Sequence, residues 1–559
     1  MSTVRQQLAQ RLMIDLRYFA EPEQPQTAVT QLTPSLRQLL QSQQLGGVIL
    51  FSENCQQPAQ LRQLCAELQA TSQDLPLLIS IDQEGGRVVR TSRDWSTGFA
   101  GNMAIGATHA GYGDHFAGAT AATIGTELNA LGINVVHAPC VDVSNNPDNP
   151  VINIRAYGDQ PKLVAELAAA ACQGFARSGV AATLKHFPGH GDTDTDSHTG
   201  LPLVSHALEH LNAIELYPYR QILRQHPPPL LMTAHIQYPA LDSSTINGVV
   251  RPATLSRRII TELLRDELGY QGVVITDAMD MAALAQLLPM ADAVIEAFRA
   301  GVDIGLMPVK IRSVADFSQL EQLLDALEQA VTDGTLCRLE LNQSYQRICA
   351  LKRSLNQREQ APLSCVGSVA HRQQEQQLAL AAITAIQGQR PEALHCSAKI
   401  ALLLPGKPLL QGMTQALASA SAEQLQLQPV DISQNEVTAT TLANCDVVVA
   451  GFVSPRQSAA ELGGVDDLSL LDEQAVANAY QPQRLQQPLA LARQLGKPVV
   501  FLSLRAPYDV ARFGQYADWV LASYAYHVDS ASRCGASLTA LAQVLLGAAE
   551  ARGTLPVTV

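Results

Sequence analysis

Aromatic and basic residues are both scarce in this chain of 559 residues. Only 5% of the residues are aromatic and two are tryptophan, so a ligand must be held with little ring stacking. Lys and Arg number 38 against 51 Asp and Glu, which gives a formal net charge of −13. Nucleic-acid binding and polybasic membrane anchoring both depend on a surplus of cationic side chains. We therefore expect neither a nucleic acid nor a membrane as a partner.

The ten cysteines are spread along the chain without a Cys-x-x-Cys pair, and the closest two are Cys55 and Cys65. This spacing provides neither a disulfide scaffold nor a zinc knuckle. The sequence does not begin with the basic segment and the apolar run that are typical of a secretory signal. The longest apolar stretch, Leu378 to Ile386, is far shorter than a membrane span and is interpreted as a short helix face. We therefore expect a cytoplasmic protein with reduced thiols.

Eight short apolar runs, rich in Val, Ile and Leu, alternate with helical patterns such as Pro161–Ser178 and Arg257–Leu268. Continuous apolar runs are typical of parallel strands that helices cover on both faces. The eight units predict an α/β fold that begins with a (β/α)8 TIM-type barrel. The runs are Met13–Arg17, Gly46–Phe51, Pro76–Asp82, Ile133–Pro139, Val180–Phe187, Leu230–His235, Gly272–Asp277 and Val302–Met307.

A polar, glutamine-rich stretch separates the barrel from a second set of apolar runs. We predict a catalytic barrel at 1–350, a linker with a helix entering the next domain at 351–377, and an open C-terminal α/β sandwich domain at 378–559. The last seven residues, Gly553–Val559, are predicted to form a final strand. The second-domain runs are Ile400–Leu404, Val447–Phe452, Pro498–Leu504 and Trp519–Ser523.

Polar side chains stand where the barrel strands end, and in such barrels the catalytic groups lie at these carboxyl ends. A single Asp at such a place has a plainer explanation as a helix N-cap. Five strands that deliver charged or imidazole groups to one rim instead form a polar cup able to hydrogen-bond many hydroxyls. The residues are Asp82, Asp142, Arg155, Lys185, His186, His235 and Asp277.

The loop from Lys185 to His198 is the richest segment, and a metal site is one interpretation of it. Alternate carboxylates from Asp192 to Asp196 imitate a calcium loop, but Ser197 and Leu203 stand where glycine and glutamate are required. The pair His186 and His190 has ligand spacing, yet a proline and a glycine between them prevent the helix that would align both. We expect no metal ion here.

Two other interpretations of this loop stay open. The segment is a Gly- and Asp-rich surface loop, or it is an active-site loop in which Asp196 and His198 form an acid–base pair. A carboxylate hydrogen-bonded to an imidazole fixes the tautomer and raises the basicity of the ring. The glycines before the pair permit hinge motion.

Several segments together closely resemble the β-N-acetylglucosaminidase (β-N-acetylhexosaminidase) branch of glycoside hydrolase family 3, in its two-domain form. The blocks occur in the expected order and span the whole barrel. They are Ile81–Arg90, Val151–Gly158, Lys185–His198 with Leu201-Pro202 after it, Met232–His235 and Gly269–Met281.

The resemblance implies a retaining glycosidase without a cofactor. Asp277 would be the nucleophile that forms a covalent glycosyl-enzyme, and His198 would be the general acid/base, oriented by Asp196. It also implies that a set of polar residues holds the sugar at the non-reducing end. This set consists of Asp82, Arg90, Arg155, Lys185 and His186.

The second domain bears on the acid/base assignment. In the β-glucosidase branch of the family a Glu from the second domain serves as the acid/base, whereas here the Asp196–His198 pair supplies that role. We therefore expect no essential Glu in the second domain, and Glu461 is the residue that tests this. We expect the domain to pack on the barrel and to stabilise it or to shape the outer subsites.

The expected partner is a small oligosaccharide or muropeptide, from which terminal β-linked N-acetylglucosamine is released during peptidoglycan recycling or chitin degradation. The same Asp277 and His198 would also serve a phosphorylase, because a neutral His repels phosphate less than a carboxylate does. A β-glucosidase-like enzyme, a metal-dependent barrel hydrolase and a non-catalytic sugar-binding protein are further alternatives. The sequence does not indicate an oligomeric state.

Overall fold

The computed structural model describes residues 2–73, 75–195, 200–356, 359–395, 397–421, 425–454, 458, 461, 481–528 and 534–559. Within these ranges no helix is long and apolar enough to cross a membrane.

Eight parallel strands form the N-terminal sheet, and their order follows the chain around a barrel. Strand β1 pairs with both β2 and β8, and a parallel bridge between Ile275 and Ile304 joins β7 to the segment before β8. The predicted TIM-type barrel is therefore confirmed: seven strands lie inside the predicted apolar runs, and β1 begins at Leu12, one residue before its run. The strands are β1 Leu12–Asp15, β2 Gly47–Leu50, β3 Leu78–Ile81, β4 Val135–Val136, β5 Ala181–Phe187, β6 Leu230–Thr233, β7 Val273–Ile275 and β8 Gly305–Leu306.

Helices follow the strands and cover the outside of the barrel. The helix Pro161–Ser178 has the predicted bounds: a proline opens its first turn, and Gly179, at φ 86°, ends it in the left-handed region. The other helices of this domain are Val4–Ala9, Pro34–Gln43, Pro58–Gln69, Asn102–Tyr112, His115–Leu131, Leu208–Ala213, Leu216–Gln225, Arg258–Glu267 (π-type), Ala282–Ala285, Met290–Ala300, Phe317–Thr332 and Arg338–Asn356. Three two-stranded hairpins pair Tyr18–Phe19 with Thr27–Ala28, Gln83–Gly85 with Val88–Val89, and Thr245–Ile246 with Val249–Val250.

The last barrel helix, Arg338–Asn356, closes the floor of the barrel. Its side chains Ile348, Leu351 and Leu355 pack in one cluster with the apolar residues that the strands point inward. Lys352 lies on the same helix, is fully buried, and donates a hydrogen bond of 2.6 Å to Gln10 Oε1. The floor is thus a packed apolar plug that encloses the Lys352 amine, which leaves the opposite rim for ligands.

The C-terminal domain is a six-stranded sheet between helices, as predicted for the open α/β sandwich. The strands are β9 Thr384–Gly388, β10 Lys399–Leu404, β11 Gln426–Asp431, β12 Val447–Phe452, β13 Val499–Ser503 and β14 Trp519–Ala522. Their order in the sheet is β9-β14-β13-β12-β10-β11, and β9 runs antiparallel to its neighbour. Among the residues that the structure describes, the helices of this domain are Val369–Ala382, Lys407–Ala420, Ala439–Ala443, Gln483–Gln494, Val510–Phe513 and Ala536–Leu545.

Both edge strands of this sheet escaped the sequence analysis. Strand β11 is largely exposed and carries a proline, so it has no continuous apolar run. Strand β9 begins inside the stretch Leu378 to Ile386, whose interpretation as one helix face is wrong: the helix ends at Ala382 and the strand starts at Thr384.

The C-terminal segment packs against the barrel. Its one sheet contact among the described residues is the bridge from Gly553 to Thr384, so the predicted final strand is wrong. Instead the Asp159 carboxylate accepts a hydrogen bond of 2.7 Å from the Thr558 backbone amide. Met103 of the barrel shares an apolar cluster with Tyr524 and Val557 of the second domain. The second domain therefore docks on the barrel through a mixed apolar and polar contact, and the domain division at 1–350, 351–377 and 378–559 is kept as a proposal.

Candidate active site

A buried ionic network lies at the carboxyl ends of β3 and β5. Asp82 follows β3 directly, and Glu84 lies in the hairpin after it. Lys185, near the end of β5, places its Nζ 2.8 Å from Asp82 Oδ1 and 2.7 Å from Glu84 Oε1. The Lys185 side chain is 2% exposed and that of Asp82 is 20% exposed, so Asp82 is the more accessible partner of this ion pair.

Arg155 extends this network from the loop after β4. Its guanidinium binds the Glu84 carboxylate with two hydrogen bonds, of 2.8 and 3.1 Å, in bidentate geometry. The same guanidinium lies 3.4 Å from His186 Nε2. Arg155 and Lys185 thus share Glu84, a residue that the sequence analysis quoted inside a motif without giving it a role.

Asp142 fixes the start of the loop that follows β5. Its Oδ2 lies 2.7 Å from His186 Nδ1, and its Oδ1 accepts backbone N–H bonds from His186 at 3.2 Å and from His190 at 2.7 Å. The imidazole of His186 is therefore held between a carboxylate on one nitrogen and Arg155 near the other. The N-cap explanation considered for Asp142 does not describe this position.

The charges set the protonation of these carboxyl groups. Burial opposes the ionisation of Asp82, but Lys185 and Arg90 outweigh it and hold the pKa of this carboxyl well below its usual range. Burial also opposes the ionisation of Glu84, and Arg155 and Lys185 lower its pKa to about 2. Both carboxylates are consequently ionised at neutral pH and accept hydrogen bonds.

The Asp277 carboxylate stands at the end of β7 on a fixed peptide. Its Oδ1 accepts the Ala278 backbone N–H at 2.8 Å, and His235 Nε2 donates to the Ala278 carbonyl at 3.0 Å. His235 Nδ1 lies 2.8 Å from the Thr254 hydroxyl, which orients the ring. His235, singled out as a strand-end residue, therefore positions the peptide that carries Asp277.

The second domain reaches the rim at Arg90. The Arg90 guanidinium donates to the Glu461 carbonyl at 3.3 Å, across 371 residues of sequence. Both carboxylate oxygens of Glu461 bind the guanidinium of Arg505, which is itself buried. The Glu461 carboxylate therefore forms an ion pair with Arg505, and Glu461 contacts the barrel through its backbone carbonyl.

The acid–base pair predicted at Asp196 and His198 lies outside the described residues. The chain leading to it is described as far as Thr195. The Asn149 amide donates to the carbonyls of His190 at 2.8 Å and Gly191 at 2.9 Å, and His190 Nδ1 lies 2.7 Å from the Thr193 hydroxyl. The start of the loop is therefore held in place by polar contacts.

His137 is a site residue that the sequence analysis missed. It follows β4, its side chain is completely buried, and neither ring nitrogen has a hydrogen-bond partner among the described residues. Burial lowers its pKa to about 4, against the opposing charge of Asp82. A neutral imidazole with free hydrogen-bonding capacity thus lies beneath the network, and its position inside the apolar run Ile133–Pro139 was the available signal.

In the described part of the chain, two groups of side chains have the composition of metal ligands. In the first, Cys140, Asp142 and His186 are all buried, and the Cys140 thiol donates to the same Asp142 oxygen that His186 contacts. This group is part of the network described above. The second group, Asp192 with His206 and His210, lies outside that network.

The comparisons with known proteins decide the family. The family model described as "Glycosyl hydrolase family 3 N terminal domain" matches residues 3–351. The chain belongs to glycosyl hydrolase family 3. This family 3 chain is 44% identical over its full length to "Beta-hexosaminidase A" of Pseudoalteromonas piscicida, of which the alignment covers 97%.

Two further similarities agree with this placement. A β-hexosaminidase of Pseudomonas aeruginosa (strain LESB58) is 36% identical over 286 residues, which are 50% of this chain and 79% of that protein. A family 3 β-N-acetylglucosaminidase from Paenibacillus sp. str. FPU-7 has a structure with a TM-score of 0.80 and 30% identity, covering 100% of this chain and 99% of that one. The family 3 chain is accordingly a glycoside hydrolase.

Proposed function

We propose that this glycoside hydrolase is a retaining β-N-acetylhexosaminidase that removes terminal β-linked N-acetylglucosamine. The observation that carries the proposal is the fixed carboxylate of Asp277 on the same rim as the Asp82–Lys185 network. The names of the relatives that match over the full chain, a β-hexosaminidase and a β-N-acetylglucosaminidase, support the 2-acetamido sugar.

Asp277 is the proposed nucleophile. Retaining hydrolysis needs a carboxylate that attacks the anomeric carbon and a separate group that protonates the leaving oxygen. The Ala278 N–H and the strand end hold the Asp277 carboxylate in one orientation, which suits attack on a single carbon. The attack forms a glycosyl ester with Asp277 and releases the aglycone.

His198 is the proposed acid/base, with Asp196 as the residue that orients it. A histidine titrates near pH 6.5, so at neutral pH it donates a proton to the leaving oxygen and then accepts one from the attacking water. Water cleaves the ester, the sugar leaves with its β configuration retained, and Asp277 is regenerated.

The sugar at the non-reducing end would be held by Asp82, Arg90, Arg155, Lys185 and His186. Asp82 is the proposed direct acceptor for the hydroxyl groups of the sugar. Its carboxylate is ionised, and its side chain is more exposed than that of Lys185. Arg155 and Lys185 neutralise Glu84 and keep the buried charge balanced. The grip is polar, in keeping with the low aromatic content of the chain.

The proposed substrates are small muropeptides or chitooligosaccharides, handled in the cytoplasm during peptidoglycan recycling or chitin degradation. The test compares rates on aryl β-glycosides that differ only at the 2-substituent, and on chitobiose and a muropeptide. We expect the 2-acetamido glycoside to be turned over fastest, and a higher rate on the 2-hydroxy glycoside would contradict the proposal in favour of a β-glucosidase.

The same assays separate the remaining alternatives. Product analysis with and without inorganic phosphate should give free sugar in both cases, whereas a sugar 1-phosphate would identify a phosphorylase. Activity should survive a chelator, which a metal-dependent hydrolase would not. Asp277→Ala should abolish turnover and leave the protein folded, and unchanged turnover would refute the nucleophile.

A further inference from the structure

A second cluster of polar side chains lies beside the loop after β5, apart from the network on the rim. Asp192 comes from the loop, His206 precedes the helix Leu208–Ala213, and His210 lies on that helix. The two imidazole rings stack with centroids 4.1 Å apart and an interplanar angle of 29°. His206 Nε2 contacts Asp192 Oδ2, and one potential ligand atom from each of the three residues lies within 4.8 Å of the others.

A carboxylate borders this cluster on its inner side. Glu215 is almost completely buried, and its Oε1 lies 3.8 Å from His210 Nε2. Neither His210 Nε2 nor Glu215 Oε2 has a hydrogen-bond partner among the described residues, and both atoms are shielded from solvent. Unpaired buried polar atoms are costly, so two of them on side chains that contact each other mark a place where a bound group would be stabilising.

The donor set defines the chemistry of that group. Two imidazole nitrogens and a carboxylate oxygen are ligands typical of Zn²⁺ and of neighbouring divalent transition metals, whereas Ca²⁺ and Mg²⁺ prefer oxygen alone. Ligand atoms around a tetrahedral zinc ion lie about 3.4 Å apart, as follows from metal–ligand bonds of about 2.0–2.1 Å. His206 Nε2 and Asp192 Oδ2 are already in contact, and all three side chains are partly exposed, which leaves them room to turn toward one ion.

We propose that Asp192, His206 and His210 form a binding site for a divalent transition-metal ion, with Glu215 as the carboxylate that supports His210. This site is separate from the calcium loop and from the His186–His190 pair that the sequence argued against, because only Asp192 belongs to the segment considered there. Water or Glu215 would occupy the fourth coordination position of the ion.

The ligands bracket the part of the chain that contains His198. Asp192 stands before that stretch and His206 and His210 after it, so an ion bound by all three links its two ends. An ion that binds the folded chain in preference to the unfolded chain raises the melting temperature. If the proposed acid/base role of His198 is correct, the bound ion also changes kcat without being required for turnover, and this consequence rests on the proposed function.

Binding is tested on the full chain after chelator treatment and gel filtration. ZnCl2 is titrated by calorimetry into the wild-type protein, His206→Ala, His210→Ala and the control His226→Ala, which removes an exposed histidine elsewhere. We expect the wild type and the control to bind one more equivalent of Zn²⁺ than the two variants, or to bind it at least tenfold more tightly. Zn²⁺ should raise the melting temperature of the wild type and the control only.

Cobalt provides an independent reading of the ligands. Co²⁺ bound at this site should give visible absorption bands without a thiolate charge-transfer band, since no cysteine takes part. Equal stoichiometry and affinity in the wild type and both variants would overturn the site, as would a thiolate band pointing to Cys140. These measurements use no substrate, so they stand or fall separately from the proposed glycosidase activity.

Discussion

The ammonium group of Lys185 lies 2.8 Å from Asp82 Oδ1, although the two residues belong to strands that another strand separates in the barrel. The contact joins the ends of β3 and β5 across the intervening β4. It supplies the charge that keeps Asp82 ionised in a buried setting. This ion pair thus joins two strand ends and keeps the Asp82 carboxylate available as a hydrogen-bond acceptor at the rim.

Asp82→Asn removes the negative charge from the proposed sugar contact while keeping its size. A hydrogen bond to a charged group contributes about 1.5–3 kcal/mol, so kcat/KM on an aryl N-acetyl-β-glucosaminide should fall by about tenfold to a hundredfold. Steady-state kinetics measures this, with Asp114→Asn as a control at an exposed carboxylate. Equal kcat/KM values in the two variants would exclude Asp82 from sugar binding.

Arg505→Met leaves the Glu461 carboxylate buried without its partner. Removing one member of a buried ion pair costs about 3–5 kcal/mol, whereas replacing both members with apolar side chains costs less. We therefore expect Arg505→Met to unfold at a lower urea concentration than the double variant Arg505→Met with Glu461→Met. The KM of Arg505→Met should also rise, because Arg90 loses the carbonyl that holds it.

The matched control for this pair is Arg493→Met, which breaks the exposed ion pair between Arg493 and Asp518. Surface pairs contribute about 0–1 kcal/mol, so the unfolding midpoint and the KM should barely change. If Arg505→Met behaves like Arg493→Met in both measurements, the contact of the second domain with Arg90 has no energetic importance.

Lys352 in the barrel floor makes the free energy of unfolding depend on pH in the alkaline range. Burial lowers its pKa from 10.5 to about 7, whereas the unfolded chain restores the ordinary value. Between pH 7 and 10.5 the unfolded state therefore binds more protons than the folded state, and the free energy of unfolding rises with pH. Below pH 7 both states are protonated and this contribution is constant, at its least favourable value.

Lys352→Met removes this dependence. Urea unfolding of the barrel at pH 7, 8 and 9 should show a rise for the wild type that the variant lacks, and the same rise for the control Lys162→Met at an exposed position. Parallel curves for the wild type and Lys352→Met would show that the lysine keeps its ordinary pKa inside the floor.

Gly191→Ala tests the placement of the loop that leads to the proposed acid/base. A Cβ at Gly191 would lie 1.7 Å from the Val143 carbonyl oxygen, so the loop must move. We expect a large loss of kcat with little change in the melting temperature. The control Gly111→Ala, in open space on a helix, should keep full activity and gain about 0.5–1 kcal/mol. Full activity in Gly191→Ala would show that this backbone position is unimportant for catalysis.

The sequence predicts the barrel well because buried parallel strands leave continuous apolar runs, and every barrel strand overlaps one of them. It fails at β11, an exposed edge strand without such a run, and at β9, which shares one apolar stretch with the helix before it, so that the pattern does not separate the two elements. The rim residues Asp82, Lys185 and Asp277 follow from strand direction alone. The sequence does not predict that Arg155 pairs with Glu84 or that Arg505 pairs with Glu461. These contacts join loops that meet only in the folded chain. The ligand group of Asp192, His206 and His210 is hidden for the same reason.

The covalent step at Asp277 is tested most directly by trapping. The enzyme is incubated with a fluorinated N-acetylglucosaminyl substrate whose ester hydrolyses slowly, and the intact protein and its peptides are weighed by mass spectrometry. We expect a mass increase of one sugar on the wild type, located on the peptide that contains Asp277, and none on Asp277→Asn. A label on a different residue, or rapid turnover by Asp277→Asn, would contradict the proposed mechanism.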